Sequence, residues 1–141
     1  MHPYADTFVN ENQLNKSEPV YPLSCYLDKL TGMIYNSVKT NQDERYNLYE
    51  YSYTSSNSKI SKEYWKIYAK EIMDEFKIDS NTKILEIGSN DGYLLQYVKK
   101  LNIPCTGIEP TNSTAQAARE KGIEIVESFF RALILFFSLK T

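Results

Sequence analysis

The sequence has 141 residues, 42% of them hydrophobic and 24% charged, which suits one domain or part of a larger one and excludes an intrinsically disordered chain. A formal charge of −2 offers no basic footprint for nucleic acid. The opening "MHPYADTFVNENQ" lacks a signal-peptide core, "FFRALILFFSLKT" is too short for a membrane span and is broken by Arg131, and the distant Cys25 and Cys105 fit a reduced compartment. A soluble cytoplasmic protein, with neither nucleic acid nor membrane as partner, is the expectation.

Residues 1–57 are rich in Tyr, Asn, Ser and Asp and show little helical periodicity. "YPLSCYL" and "GMIYNSV" read as two strands of a hairpin, with "DKLTG" as the turn and Gly32 near the bend. Residues 58–80 change character. Ile60, Tyr64, Tyr68, Ile72 and Phe76 recur every four residues, joined by Trp65, Ala69 and Met73, and predict an amphipathic linking helix. Ser61 is the expected N-cap, with Glu63 in the first turn.

From residue 81 the order becomes strand, helix, strand, helix, strand. "KILEI" is a strand and "DGYLLQYVKKL" a helix with Leu94, Leu95, Val98 and Leu101 on one face. "CTGIEP" is the second strand. "NSTAQAAREKG" is the second helix, capped by Asn112 or Ser113 and stopped by Gly122, and "IEIVES" is the third strand. Such alternation implies right-handed crossovers in a parallel sheet. The expected fold is α/β: an incomplete Rossmann-like, doubly wound sheet over 81–141, preceded by a small β-containing N-terminal lobe.

Ligands of such sheets bind beyond the carboxyl ends of the strands, where the first strand turns into its helix. Gly88 and Gly92 lie there, in "EIGSNDG". A dinucleotide loop would need G-x-G-x-x-G, but counting from Gly88 the later glycine positions hold Asn90 and Tyr93. The pattern is instead acid-x-Gly-x-x-x-Gly, which resembles the first motif of the class I methyltransferases that bind S-adenosylmethionine. Asn90 stands where those proteins usually have a middle glycine, and asparagine tolerates the left-handed backbone. Glu109 ends the second strand, and its two carboxylate oxygens suit a ribose diol. The resemblance implies a cofactor site of Glu86, Gly88, Asn90, Gly92 and Glu109, with Glu86 near the cofactor's amino group. The simpler reading is a strand-end charge and two turn glycines.

Read with this motif, "HPYADTFV", "YPLSCYL", "YEYSYTSSNS", "GIEP" and "KGIEIVESFF" are similar, in order and spacing, to the nucleotide-sugar C-methyltransferases. That family methylates a carbon of a keto-deoxysugar for antibiotic or surface-polysaccharide sugars. The resemblance covers residues 2 to about 130 and implies a nucleotide-sugar substrate. It also implies that Tyr51 and Tyr53 line the sugar pocket or assist proton transfer. Many members hold zinc with four N-terminal cysteines. Here Asp28 and Thr31 occupy two of those positions, so no metal is expected. The family's catalytic histidine lies beyond "ESFF", and His2 is the one histidine of this sequence. The expectation is therefore a truncated methyltransferase, inactive alone, whose "ALILFF" stretch and open sheet edge favour self-association. Two alternatives stand: a non-catalytic binder of S-adenosylmethionine or a sugar nucleotide, and a methyltransferase of another class.

Overall fold

A computed structural model describes residues 1, 3, 7–48 and 50–130. His2 and "ALILFF" lie outside the described residues. The chain divides into two compact units, Met1–Ser52 and Tyr53–Thr141, a boundary ahead of the expected 57/58. The boundary thus divides the Tyr-Ser segment between Ser52 and Tyr53, and the long helix belongs to the second unit.

In the first unit, β1 (Thr7–Phe8) pairs antiparallel with β4 (Glu50–Tyr51), and β2 (Cys25–Leu27) pairs with β3 (Ile34–Asn36) as the expected hairpin. Tyr26 and Tyr35 face each other in register, with ring centroids 6.0 Å apart. Gly32 takes φ +72° at the bend. Asp28 closes the turn: its Oδ1 accepts the Leu30 N–H at 2.8 Å, and these bonds hold its carboxyl below the usual range. A helical turn at Glu44–Leu48 and the β1–β4 pair were not expected from the sequence.

The second unit opens with α1 (Lys59–Glu75). Its N-cap is Ser58, not Ser61: Ser58 is extended, and its hydroxyl accepts the Ser61 N–H at 3.0 Å. The first turn therefore holds no acid, and Glu63 lies beyond it. The expected stripe also shifts. Ala69 is buried and Trp65, Tyr68, Ile72 and Met73 are partly buried, whereas Ile60, Tyr64 and Phe76 are exposed. Each four-residue step advances about 40° around a helix of 3.6 residues per turn, so a strict i+4 series leaves the packed face at both ends.

β5 (Ile84–Ile87), α2 (Leu95–Lys100), β6 (Cys105–Ile108), α3 (Asn112–Glu120) and β7 (Glu124–Val126) follow. The strands form a parallel sheet in the order β5-β6-β7. Leu95 of α2 and Ala118 of α3 are fully buried in one cluster with Ile123, packed on Ile84, Cys105 and Ile125. Both crossover helices therefore cover the same face, as in the first half of a doubly wound sheet. This unit is an incomplete Rossmann-like α/β fold. Among the described residues β5 and β7 each pair on one side, leaving outer edges of the kind that favour added strands.

Two helix starts differ from expectation. α2 begins at Leu95 because Gly88, Asn90 and Gly92 all take positive φ (+73°, +50°, +68°), which keeps 88–94 in turns. α3 is preceded by Thr111 as N-cap, with extended backbone and no side-chain cap bond. Its far end behaves as expected. Gly122, at φ +75°, donates to Arg119 O and Ile123 donates to Ala118 O, a Schellman ending whose apolar contact joins Ile123 to Ala118.

Candidate functional site

The turn after β5 is held to the end of β6 by three bonds. Gly88 and Ser89 N–H both donate to Ile108 O, at 2.8 and 3.1 Å. The Asn90 N–H donates to Glu109 Oε2 at 2.9 Å. The other Glu109 oxygen, Oε1, accepts the Thr111 N–H at 2.9 Å. Glu109 is buried, so its carboxylate joins the two strand-end turns. A carboxylate has about four lone-pair sites, which leaves acceptor capacity on each oxygen for a ligand hydroxyl.

The two loop glycines differ in role. A Cβ at Gly88 would meet nothing within 4 Å, so Gly88 borders open space. A Cβ at Gly92 would lie 2.9 Å from Ala118 Cβ and 3.2 Å from Ile123 Cγ1. Gly92 therefore packs closely on α3 and on Ile123. Asn90 adopts the left-handed backbone as expected, but its amide is committed elsewhere. Its Oδ1 accepts the Ser55 N–H at 2.8 Å, and its Nδ2 donates to Tyr53 O at 3.2 Å.

Four residues missed in the sequence complete the site. Gly107 pairs with Glu86 in the sheet, and Ser89 sits where a Cβ on Gly107 would be, with Oγ only 2.3 Å from that position. Asp91 is buried and accepts from Ser56 Oγ at 2.5 Å and from Lys121 Nζ at 3.0 Å. An acid directly before the second glycine was the only sequence signal for it. Lys121 lies thirty positions away along the chain and gave none.

Several buried polar atoms gather around this turn without a hydrogen bond among the described residues: Glu86 Oε2, Ser89 Oγ, Asp91 Oδ1 and Thr111 Oγ1. Buried polar atoms are nearly always partnered, so their concentration here marks a place suited to a polar ligand or water. Glu86 feels this most. Burial, and then the charges of Asp91 and Glu109, push its carboxyl up to about 7.

The Glu86 shift has a sign for stability. The folded state holds the proton more tightly than the unfolded chain, whose carboxyl titrates near 4.5. This contribution is full below pH 4.5, declines as pH rises toward 7, and is lost above it. Glu86→Gln is expected to stabilise the protein at pH 8 by about 1–3 kcal/mol. It should also flatten the stability profile between these limits. Urea melts of parent and variant at pH 5 and pH 8 measure both, and a parallel pH dependence in the two proteins would refute the assignment.

Two hollows lie elsewhere among the described residues. One of about 410 Å³ opens at the amino ends of the strands, among Lys83, Lys99, Pro104, Cys105 and Glu124, away from the glycine turn. Another, of about 430 Å³, belongs to the first unit and is lined by Tyr21, Asn36, Lys39, Arg45 and Tyr46. Tyr51 belongs to that unit, where the Arg45 guanidinium lies 5.2 Å from its ring centroid and the Tyr46 ring meets it edge-on. Tyr53 belongs to the second unit, with its backbone bonded to Asn90 and its side chain exposed. No helix among the described residues is long and apolar enough to cross a membrane.

No protein-family model and no curated protein matches the sequence. Several solved structures match in part. A SAM-dependent methyltransferase from Archaeoglobus fulgidus superposes with a TM-score of 0.42 at 21% identity, over 55% of this chain and 33% of its own. The plantazolicin methyltransferase BpumL, in complex with a pentazolic desmethylPZN analog and SAH, gives 0.40 and 20%, over 54% and 32%. YjhP from E. coli gives 0.37 and 18%, over 41% and 27%. The chain thus spans about a third of the length of the structures it matches.

Proposed function

We propose that this chain is the cofactor-binding part of an S-adenosylmethionine-dependent methyltransferase whose acceptor is a carbon beside the ketone of a keto-deoxysugar nucleotide. The observation that carries the cofactor reading is the Glu109 carboxylate. It lies at the carboxyl end of β6 and is bonded to the glycine turn after β5, beside unpartnered polar atoms and the open space at Gly88. These residues fit the cofactor. Glu109 has acceptor capacity for the ribose hydroxyls, Glu86 offers a carboxyl that a cationic amino group would draw to its ionised form, and Ser89 and Thr111 bring hydroxyls. The bound cofactor supplies an electrophilic methyl group. The sugar acceptor is supported by the similarity of "EIGSNDGYLL", "GIEP" and the Tyr-Ser segment to the sugar C-methyltransferases. In that reading Tyr51 and Tyr53 contact the sugar nucleotide.

Carbon methylation also needs a base to take the acceptor's proton and groups that steady the enolate. Among the residues of this chain, the resemblance offers Tyr51 and Tyr53 for proton transfer.

Calorimetric titration with S-adenosylmethionine tests the cofactor reading, and labelled cofactor with a 4-keto-deoxysugar nucleotide tests turnover in the same sample. Gly88→Val should place a side chain in the open space and weaken binding at least tenfold. The left-handed backbone adds about 1–3 kcal/mol of strain. A folded parent that binds no cofactor would sink the cofactor reading. Label on a sugar carbon at an enzyme-like rate would show that the residues of this chain suffice for turnover, and its absence would leave only the cofactor reading.

A further inference from the structure

Asn90 does two things at once. Its backbone, at φ +50°, continues the turn, and its N–H binds the Glu109 carboxylate. Its side-chain amide spends both acceptor and donor on a segment 35 to 37 positions earlier, through Ser55 N–H and Tyr53 O. The next residue repeats the connection, because Asp91 accepts from Ser56 Oγ while Lys121 holds its carboxylate. A glycine at position 90 would supply the turn conformation more easily but neither of these bonds.

Within the segment, the Asn57 N–H donates to Thr54 O at 3.2 Å. Residues 52–54 form neither helix nor strand, and the buried cluster of Leu95, Ala118 and Ile123 does not include it. Asn90 and Asp91 are buried, so at their end the bonds to the segment are partly sheltered from competing water.

We infer that Asn90, seconded by Asp91, is a positioning residue that ties the Tyr53–Ser56 segment to the ligand-binding turn, so that occupancy of the turn and placement of Tyr53 are coupled. The inference rests on the cofactor reading given above for what fills the turn. The tie runs Glu109–Asn90–Tyr53/Ser55. A ligand that fixes the Glu109 carboxylate and the turn lowers the freedom of Asn90, and with it the freedom of the segment.

Hydrogen exchange of the 141-residue protein, read on peptides covering 53–57 with and without saturating S-adenosylmethionine, tests this. In the parent the segment is expected to be protected, and the cofactor should slow its exchange further. Asn90→Gly should speed exchange of the segment about tenfold, leave α3 and β6 at parental rates, and abolish the cofactor-dependent slowing. Ser56→Ala, which makes no demand on the backbone, should give a smaller rise confined to the same segment. Parental exchange of 53–57 in Asn90→Gly would overturn the tie. If Asn90→Gly does not fold, parental exchange in Ser56→Ala would overturn it. Cofactor binding to the parent that leaves the segment's exchange unchanged would overturn the coupling. A parent that binds no cofactor, with the segment still freed in Asn90→Gly, supports the tie and sinks the cofactor reading instead.

Discussion

Glu109→Ala is expected to destabilise the protein before any ligand is added. The carboxylate accepts one buried backbone N–H from Asn90 and one from Thr111. Alanine leaves both donors without a partner, at about 1–3 kcal/mol each, against a total stability of only about 5–15 kcal/mol for a typical domain. Thermal melts should show a fall of order 10 °C or more. Titration below the variant's transition should then show cofactor affinity lower by a further 1–3 kcal/mol, about 5- to 150-fold. Glu109→Gln keeps one acceptor oxygen and should fall between the two. An alanine variant with parental melting and parental affinity would remove Glu109 from both roles.

The second large effect is expected at a residue with no side chain. Gly107 occupies the central strand, where an added Cβ would come within 2.3 Å of Ser89 Oγ and 2.6 Å of Ile125 Cδ1. The Ile125 methyl is the end of a flexible side chain and can turn away. Ser89 belongs to the turn itself, so Gly107→Ala must push the turn outward or strain the sheet, at about 1–3 kcal/mol. Because the clash is pairwise, Gly107→Ala combined with Ser89→Gly should be more stable than Gly107→Ala alone. That non-additivity is a signature of direct contact. Denaturant melts of the two single variants and the double variant measure it. Simple additivity would place the strain elsewhere.

Both sites show what could be read from the sequence and what could not. The three strands, the hairpin, the Gly122 ending and the glycine turn carry local signals: alternating apolar runs, a bend glycine and an acid at a strand end. The α1 cap slipped because Ser58 and Ser61 both satisfy the local rule, and only the backbone angles choose between them. The β1–β4 pair is two residues per strand, too short for any periodicity. Gly107, Ser89 and Lys121 act across sheet and loop, and their sequence neighbours carry no trace of the partner. Asn90 was legible as a left-handed residue, but the destination of its amide was not. The packing of Gly92 on Ala118 was not legible either, because nothing local distinguishes a glycine that borders open space from one that borders a helix.

The strand order of the second unit has a consequence for how it folds. β5, β6 and β7 lie side by side in the order in which they occur in the chain. Each pairing closes a loop of roughly twenty residues, a short-range topology that favours rapid folding. The sheet can therefore grow strand by strand from its amino-terminal side. By contrast, the bonds from Tyr53, Ser55 and Ser56 to the turn span 35 to 37 positions and have no target until that turn is shaped. In a pulse-labelled refolding experiment, amides of β6 should become protected in an early phase and the Ser55 amide in a later one. The last event of folding in this unit would then be the one that sets Tyr53 in place.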